Sequence, residues 1–319
     1  MKIIYLGTPQ FAVEPLRALC KHHEVVAVVT QTDKPQKRSK TPEFSPVKKY
    51  AVEHNIPVYQ FKKIRRDGVD VLRNIDADVM VTCAYGQILS ADILNMKKYG
   101  VLNIHGSLLP KYRGASPIQW ALINGEKVTG VTILKSDIGI DDGKVLYSKS
   151  IDILDSDNAT TLFDKLSYVG AECIIEALRQ IEDGSVTYTP QDESKATVCK
   201  MFKPEFADID FDNNAVDIVN KVRGLNMWPM AQFCIDDRKI KVVSARAIIG
   251  EEYNDLVNAC GVIEPGIIVV SNPKHGLKIT CRDSAIELLD IIPQNSKLMS
   301  AKSFCNGAKI VVPCKVSHE

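Results

Sequence analysis

Two side chains suited to carbonyl and proton-transfer chemistry, Asn103 and His105, lie two residues apart in the run Gly100-Val-Leu-Asn-Ile-His. Positions i and i+2 of an extended strand point to the same side, so we expect this amide and imidazole on one face. A Pro/Gly-rich loop follows at 107–115, and a carboxylate, Asp141, comes later between glycines. Together the three groups can polarise a carbonyl and move a proton without a metal or nucleotide. An isolated pair would favour a satisfied core amide and imidazole, but the strand end and the glycine-flanked carboxylate favour an active site.

Strand-like and helix-like segments alternate through the first half of the chain. Continuous apolar runs predict buried parallel strands, and apolar residues at helical spacing predict helices. The predicted strands cover 2–7, 24–30, 57–59, 76–84 and 100–105, and the predicted helices 9–19, 45–55, 88–96 and 116–124. This alternation predicts an α/β fold with a doubly wound, mostly parallel, Rossmann-like sheet. Such sheets bind ligands beyond the carboxyl ends of their strands, where Asn103 and His105 lie.

The pattern changes in the second half. Two β runs at 128–134 and 144–153 precede a long helix at 159–182, and a polar, weakly periodic stretch follows. After a short helix come brief β runs separated by glycines and charges, at 231–235, 239–244, 266–270 and 308–312. They predict a second, smaller, β-barrel (OB-like) domain. We therefore divide the chain into a first domain at 1–190, a linker at 191–207 and a C-terminal β-barrel at 208–319.

The overall composition excludes several classes of protein. The 319 residues are 45% apolar and 25% charged with a net charge of +1, which neither requires nor excludes a nucleic acid partner. No apolar run approaches the roughly 20 residues of a membrane span. Nine scattered cysteines without a C-x-x-C pair favour reduced thiols in a cytoplasmic protein. The turn at 7–12 lacks the later glycines of a dinucleotide fingerprint, and His105 and Asp141 have no third ligand at metal spacing.

A basic segment follows the second predicted strand. Residues 31–49 carry six Lys or Arg against Asp33 and Glu43, a local charge of +4. A solvated loop is the ordinary explanation of such a run. The segment is long for a βα connection, however, and leaves the functional edge of the sheet. The sharper hypothesis is therefore a surface that contacts nucleic acid phosphates, with the contacts at Lys34, Lys37, Arg38 and Lys40.

One combination of motifs resembles a known family. At Asn103-x-His105-x-Ser-Leu-Leu-Pro110, then Arg113-Gly-Ala, then Asp141 in its Gly-rich turn, residues 1–190 resemble the 10-formyltetrahydrofolate-dependent formyltransferases. The resemblance implies transfer of a formyl group from 10-formyltetrahydrofolate without a metal, with Asn103, His105 and Asp141 as the catalytic residues. It also implies a folate site that comprises Tyr85, Gly86, Gln87, Ile88, Leu89, Ser107, Leu108, Leu109, Pro110 and Asp137.

Within this family the whole chain is most similar to the members that formylate methionine on initiator tRNA. The basic segment, the linker and the run Arg223…Asn226-Met-Trp-Pro229 support this similarity. It implies that the partners are initiator methionyl-tRNA and folate, in the cytoplasm and away from membranes, and we expect a monomer. Two alternatives stay open: a small-molecule enzyme, such as an amino-sugar formyltransferase or a formyltetrahydrofolate hydrolase, and a catalytically silent RNA-binding module. The basic segment argues against the former, and the intact Asn/His/Asp set against the latter.

Overall fold

The computed structural model describes residues 1–35, 42–261, 264–308 and 310–317. The chain divides into two compact units. The first comprises Met1–Pro117, Val128–Asp152 and Leu162–Cys199, and the second comprises Ile118–Lys127, Ile153–Thr161 and Lys200–Glu319. None of the helices in the described residues is both long and apolar enough to span a membrane.

The elements up to residue 199 follow the predicted alternation. The strands are β1 (Lys2–Gly7), β2 (Glu24–Thr30), β3 (Lys34–Pro35), β4 (Pro42–Glu43), β5 (Val58–Gln60), β6 (Val79–Cys83), β7 (Val101–His105), β8 (Arg113–Gly114), β9 (Val128–Lys135), β10 (Val145–Asp152) and β11 (Val198–Cys199). The helices are α1 (Val13–His22), α2 (Pro46–Glu53), α3 (Ile64–Asp67), α4 (Val69–Arg73), α5 (Ala91–Asn95), α6 (Pro117–Ile123) and α7 (Ala159–Asp183).

The main sheet of the first unit has the order β10-β9-β7-β6-β1-β2-β5. Strands β5, β2, β1, β6 and β7 run parallel, and β9 and β10 are antiparallel additions. The apolar side chains of the central strand β1, Ile3 to Leu6, are fully buried, because helices cover both faces of such a sheet. The predicted doubly wound, mostly parallel sheet is confirmed.

Strand β7 carries the first two candidate residues. It pairs in parallel with β6, where Thr82 lies opposite Asn103, and antiparallel with β9, where Thr132 lies opposite His105. Both neighbours of β7 therefore place a hydroxyl beside a candidate catalytic side chain.

The second unit is built mainly from antiparallel strands. These are β12 (Gln232–Ile235), β13 (Arg238–Ile248), β14 (Ile267–Asn272), β15 (Gly276–Thr280), β16 (Ala285–Pro293), β17 (Met299–Ser300) and β18 (Cys314–Lys315), with helices α8 (Ala215–Leu225), α9 (Gly250–Cys260) and α10 (Ala301–Gly307). The order is β12-β13-β16-β15-β14-β18. Cys234 on β12 exchanges two backbone hydrogen bonds with Ser317 after β18, at 2.9 and 3.1 Å. This bridge links the two edges, so the predicted β-barrel is confirmed as a nearly closed one.

The second unit differs from the prediction in detail. The predicted β run at 308–312 contains no strand among its described residues, and strand β18 begins at Cys314 instead. Strands β15 and β16 were not predicted, nor was helix α9, whose apolar side chains at 253, 256, 257 and 260 have helical spacing but are only partly buried.

We expect Gly130→Ala to destabilise the first unit by about 1–3 kcal/mol, a typical cost of overpacking. Gly130 lies on β9 opposite Ser150, and a Cβ there would lie 2.2 Å from the Lys149 carbonyl oxygen and 2.6 Å from a Leu108 methyl carbon. Backbone cannot yield as a flexible side chain does, so β10 would have to move. Urea unfolding measures the loss. The matched control is Gly307→Ala, whose Cβ would meet no atom of the described residues within 4 Å; equal stability of the two variants would contradict the expectation.

Candidate active site

Asn103 is oriented by its neighbour on the adjacent strand. The hydroxyl of Thr82 donates to Asn103 Oδ1 over 2.8 Å, and Asn103 Nδ2 donates in turn to Asp141 Oδ1 over 3.0 Å. An amide nitrogen carries two hydrogens, and the second one has no acceptor among the residues that the structure describes. One N–H of Asn103 is therefore available to an oxygen atom of a ligand.

Asp141 receives donors on both carboxylate oxygens. Besides Asn103 on Oδ1, the backbone N–H of Gly114 donates to Oδ2 over 2.9 Å, and His105 Nδ1 lies 3.5 Å from the same oxygen. The side chains of His105 and Asp141 are only 6% and 17% exposed, so water screens the interaction between them less than it screens groups at the surface. The structure thus brings together all three side chains that were predicted to be catalytic.

The imidazole of His105 has a partner at each nitrogen. Nε2 lies 2.9 Å from the carbonyl oxygen of Tyr112, and because a carbonyl only accepts, Nε2 carries a hydrogen. Nδ1 faces the Asp141 carboxylate, so a second proton there would create an imidazolium–carboxylate pair. To donate a hydrogen bond to a substrate oxygen, the ring of His105 would first have to leave one of these partners.

The turn that carries Asp141 depends on close backbone packing. Asp141 has a φ of +51°, in the left-handed region that Asp tolerates better than most residues. A Cβ on Gly143 would lie 1.8 Å from the carbonyl oxygen of Lys135, at the end of β9. Glycine is thus required at 143 because two backbone segments meet there.

The loop after β7 is braced from β9. The hydroxyl of Thr132 donates to the Ser107 carbonyl over 2.7 Å and accepts the backbone N–H of Leu109 at 3.1 Å. The Ser107 side chain is buried and donates to the carbonyl of Lys111. Ser107 therefore shapes the loop, while residues 108–110 are partly exposed and form its surface.

The loop after β6 is anchored at two points. Tyr85 is buried, and this burial raises the pKa of its hydroxyl to about 12. The amide of Gln87 donates to the carbonyl of Phe61 over 2.9 Å and accepts the N–H of Ile64 at 2.8 Å. Between these anchors and the next helix, Ile88 is 73% exposed.

The Asp141 turn has exposed apolar side chains of its own. Ile138 and Ile140 are 77% and 67% exposed. Asp137, which was predicted to contact folate, is exposed and uses one carboxylate oxygen to accept the N–H of Ile138. The loops at 85–89 and 137–141 therefore each present exposed apolar side chains.

Part of the basic segment is neutralised within the first unit. Lys48 binds Asp33, and Lys49 binds Glu43 over 2.5 Å. Removing these two pairs leaves the four predicted contact residues as the source of the +4 charge. Lys37, Arg38 and Lys40 lie outside the described residues, and Lys34 is described only through its backbone in β3.

The prediction missed several residues that hold the site together. Thr82 and Thr132 could have been found as the strand residues beside β7. Gln191 lies in the predicted linker, yet its amide donates to the carbonyls of Asp141 and Gly143, both at 2.8 Å. Arg113 was noted only as part of a motif; it is buried, and its hydrogen bonds with Glu193 raise the pKa of its guanidinium.

This arrangement can hold a carbonyl oxygen and accept a proton. Asn103 offers its second N–H, and Asp141 offers a carboxylate beside the His105 imidazole. Within the described ranges, no three or more His, Cys, Asp or Glu side chains form a group that could hold a metal ion.

Comparison with protein families assigns both parts of the chain. The model described as "Formyl transferase" matches residues 1–178, and "Formyl transferase, C-terminal domain" matches residues 201–309. Methionyl-tRNA formyltransferase from Agathobacter rectalis is 41% identical over 313 residues, which are 97% of each chain. The same enzyme from Thermodesulfovibrio yellowstonii is 41% identical over 97% of this chain and 96% of its own.

Solved structures agree on the fold. The sugar 3N-formyl transferase WlaRD superimposes with a TM-score of 0.68 at 20% identity, over 93% of this chain and 99% of its own. The N-formyltransferase from Helicobacter canadensis gives 0.66 at 19% identity, over 90% and 98%. The chain therefore belongs to the formyl transferase family, and to the methionyl-tRNA formyltransferases within it.

Proposed function

We propose that this protein transfers a formyl group from 10-formyltetrahydrofolate to the α-amine of methionine on initiator methionyl-tRNA, and that Asn103, His105 and Asp141 carry out the reaction. The observation that carries the proposal is the meeting of these three side chains at the carboxyl end of β7. The tRNA substrate is supported by methionyl-tRNA formyltransferases that are about 40% identical along nearly the whole chain.

Asn103 acts on the formyl oxygen. When the neutral amine of methionine attacks the formyl carbon, negative charge develops on that oxygen, and the free N–H of Asn103 donates to it. Thr82 and Asp141 already hold the amide in place, so no reorganisation is needed during the reaction. One such preorganised donor lowers a barrier by about 3–4 kcal/mol.

Asp141 and His105 move the proton. The attacking nitrogen must lose one hydrogen, and N10 of the departing folate must gain one. Asp141 accepts the proton from the amine and returns it to N10, while the His105 imidazole beside it compensates the changing charge. A C–N bond forms to methionine, the C–N bond to N10 breaks, and no net proton is released.

The residues present fit a reduced pterin. Such a ring is flat, with apolar faces and an amide-like edge that suits backbone donors and acceptors. Exposed Ile88, Ile138 and Ile140 supply apolar surface on the loops at 85–89 and 137–141. We place the pterin against these loops and the rest of the folate along residues 107–110.

The decisive assay uses the intact protein with labelled 10-formyltetrahydrofolate. Label should enter the aminoacyl group of charged initiator tRNA. Uncharged tRNA, an amino-sugar nucleotide and water serve as alternative acceptors. Label in the sugar or as free formate would support the small-molecule alternatives, and no transfer at all would leave the silent RNA-binding module.

A salt titration tests whether the basic segment contacts tRNA. With four phosphate contacts, the logarithm of KM for tRNA should rise with the logarithm of salt concentration with a slope of about 3. We expect the double substitution Lys37→Gln/Arg38→Gln to lower this slope by about 2 and to leave KM for folate unchanged. The control Lys21→Gln/Lys98→Gln removes two exposed charges that precede strands of the main sheet. Equal slopes for the two double variants would remove the segment from tRNA binding.

Both the cellular location and the oligomeric state of the protein can be proposed. We propose that the protein acts in the cytoplasm, where tRNA is charged and translation begins, and that it acts as a monomer. One chain supplies all three proposed catalytic groups, which is consistent with this. Light scattering on the purified protein measures the oligomeric state directly.

A further inference from the structure

The segment at 191–199 has no part in the proposed chemical steps. It contacts, however, both the turn that contains Asp141 and the loop that contains Gly114. Gln191 donates from Nε2 to the carbonyl oxygens of Asp141 and Gly143, at 2.8 Å each. One side chain thus binds two carbonyls of the short turn that presents the Asp141 carboxylate. The neighbouring residues 137–140 and Asp142 are exposed, so little apolar packing is available to hold this turn.

The turn needs stabilising contacts from residues outside it, because the backbone of Asp141 is in the left-handed region, with a φ of +51°. Such conformations persist in non-glycine residues only when their surroundings fix them. The two hydrogen bonds from Gln191 bind the backbone of the turn, whereas Asn103 and Gly114 bind the carboxylate. Backbone and side chain of Asp141 are therefore held from different directions.

Gln191 is itself held by a buried arginine. Its Oε1 accepts a hydrogen bond from Arg113 Nε at 3.0 Å. The remaining two nitrogens of Arg113 bind Glu193 in a bidentate pair, at 2.9 and 2.7 Å. The Arg113 side chain is only 9% exposed, so the guanidinium is a rigid support. Because both oxygen and nitrogen of the Gln191 amide are engaged, its orientation is defined.

The same segment also holds the loop that contains Gly114. Thr197 accepts the N–H of Arg113 on its carbonyl and the N–H of Tyr112 on its hydroxyl, both at 2.8 Å. The carbonyl of Cys199 accepts the N–H of Ala115 at 3.2 Å. Tyr112 is the partner of His105, so residues 191–199 support the surroundings of both Asp141 and His105.

We propose that Gln191, fixed by the Arg113–Glu193 pair, is a positioning residue that aims the Asp141 carboxylate at the reacting nitrogen. The inference rests on the proposed role of Asp141 in proton transfer. The side chain of Gln191 binds Arg113 and the backbone of the turn, so its contribution passes through the turn. A carboxylate displaced by about 1 Å from its productive position can lower the rate 10²-fold.

The first test is Gln191→Met, which keeps the length of the side chain and removes both donors and the acceptor. We expect kcat to fall about 10- to 100-fold, with KM for folate and for tRNA changed less than threefold. Gln191→Glu is the second variant, because it keeps an acceptor for Arg113 but replaces the donors by a charged oxygen that faces the two carbonyls. The control is Gln180→Met, since among the described residues the Gln180 amide donates to Glu176 on its own helix and to no other. Unfolding curves establish that each variant is folded.

A double-mutant cycle separates positioning from a general structural effect. If Gln191 acts through Asp141, then Gln191→Met will have little further effect on kcat in an Asp141→Asn background. Multiplicative losses, or a loss confined to KM, would overturn the inference. So would unchanged kcat in both Gln191 variants while Asp141→Asn is impaired. If Asp141→Asn retains normal kcat, the proposed role of Asp141 fails first, and the inference fails with it.

Discussion

Asp141→Asn is expected to lower kcat by about 10³-fold, within the range of general acid–base and electrostatic contributions. Both carboxylate oxygens accept: Oδ1 from Asn103, and Oδ2 from the N–H of Gly114, with His105 Nδ1 beside it. An asparagine has only one accepting oxygen. Its NH2 group would therefore face the N–H of either Asn103 or Gly114, and two donors that face each other cannot form a hydrogen bond. The variant also cannot accept the proton of the attacking amine.

Single-turnover measurement of formyl transfer tests this directly, because it isolates the chemical step from product release. The matched control is Asp142→Asn, which removes the same charge from the next, exposed position of the turn. We expect the control to stay within a few-fold of the unaltered protein. Normal turnover by folded Asp141→Asn would remove this carboxylate from the mechanism.

Asn103→Ala is expected to reduce kcat by about 10²- to 10³-fold, as removal of one oxyanion donor does elsewhere. The donated hydrogen bond strengthens as charge develops on the formyl oxygen. Its loss should therefore appear in kcat far more than in KM. Substitution also takes the acceptor from Thr82 and one donor from Asp141. The proton-accepting carboxylate is consequently less well held in the same variant.

Steady-state kinetics with both substrates varied will separate the two parameters. Asn95→Ala is the control, since the Asn95 amide donates only to Ala91 on its own exposed helix turn. A rise in KM with unchanged kcat would assign Asn103 to ground-state binding. A kcat within threefold of normal would mean that another group stabilises the formyl oxygen.

Local pattern was sufficient to predict the part of the site that lies on one strand. The run at 100–105 is apolar except at its functional positions, and the two-residue spacing predicted that Asn103 and His105 share a side. Asp141 joins them if the glycine-rich turn that carries it lies at the same edge of the sheet. The structure confirms that these three side chains meet. Their catalytic roles stay predictions.

Contacts between distant segments could not be predicted in the same way. Gln191 is 50 residues from Asp141 in the chain, within a polar stretch without periodicity, and nothing local indicates what its amide binds. The β run predicted at 308–312 was wrong for its described residues, since the strand that pairs with β14 is at Cys314–Lys315 instead. In each case tertiary contacts, rather than local propensity, decide the structure.

The pairing of β11 with β8 limits how this protein can be divided. The predicted end of the first domain, at residue 190, lies before Gln191, Glu193 and strand β11. Strand β11 pairs with Arg113 and Gly114 on β8. A fragment ending there would contain all three proposed catalytic side chains but not the segment that secures their loops. A shortened transferase, whether made by proteolysis or by loss of the C-terminal region in evolution, would therefore have to retain residues up to 199. Loss of the residues from 200 onward would not make the segment at 191–199 dispensable.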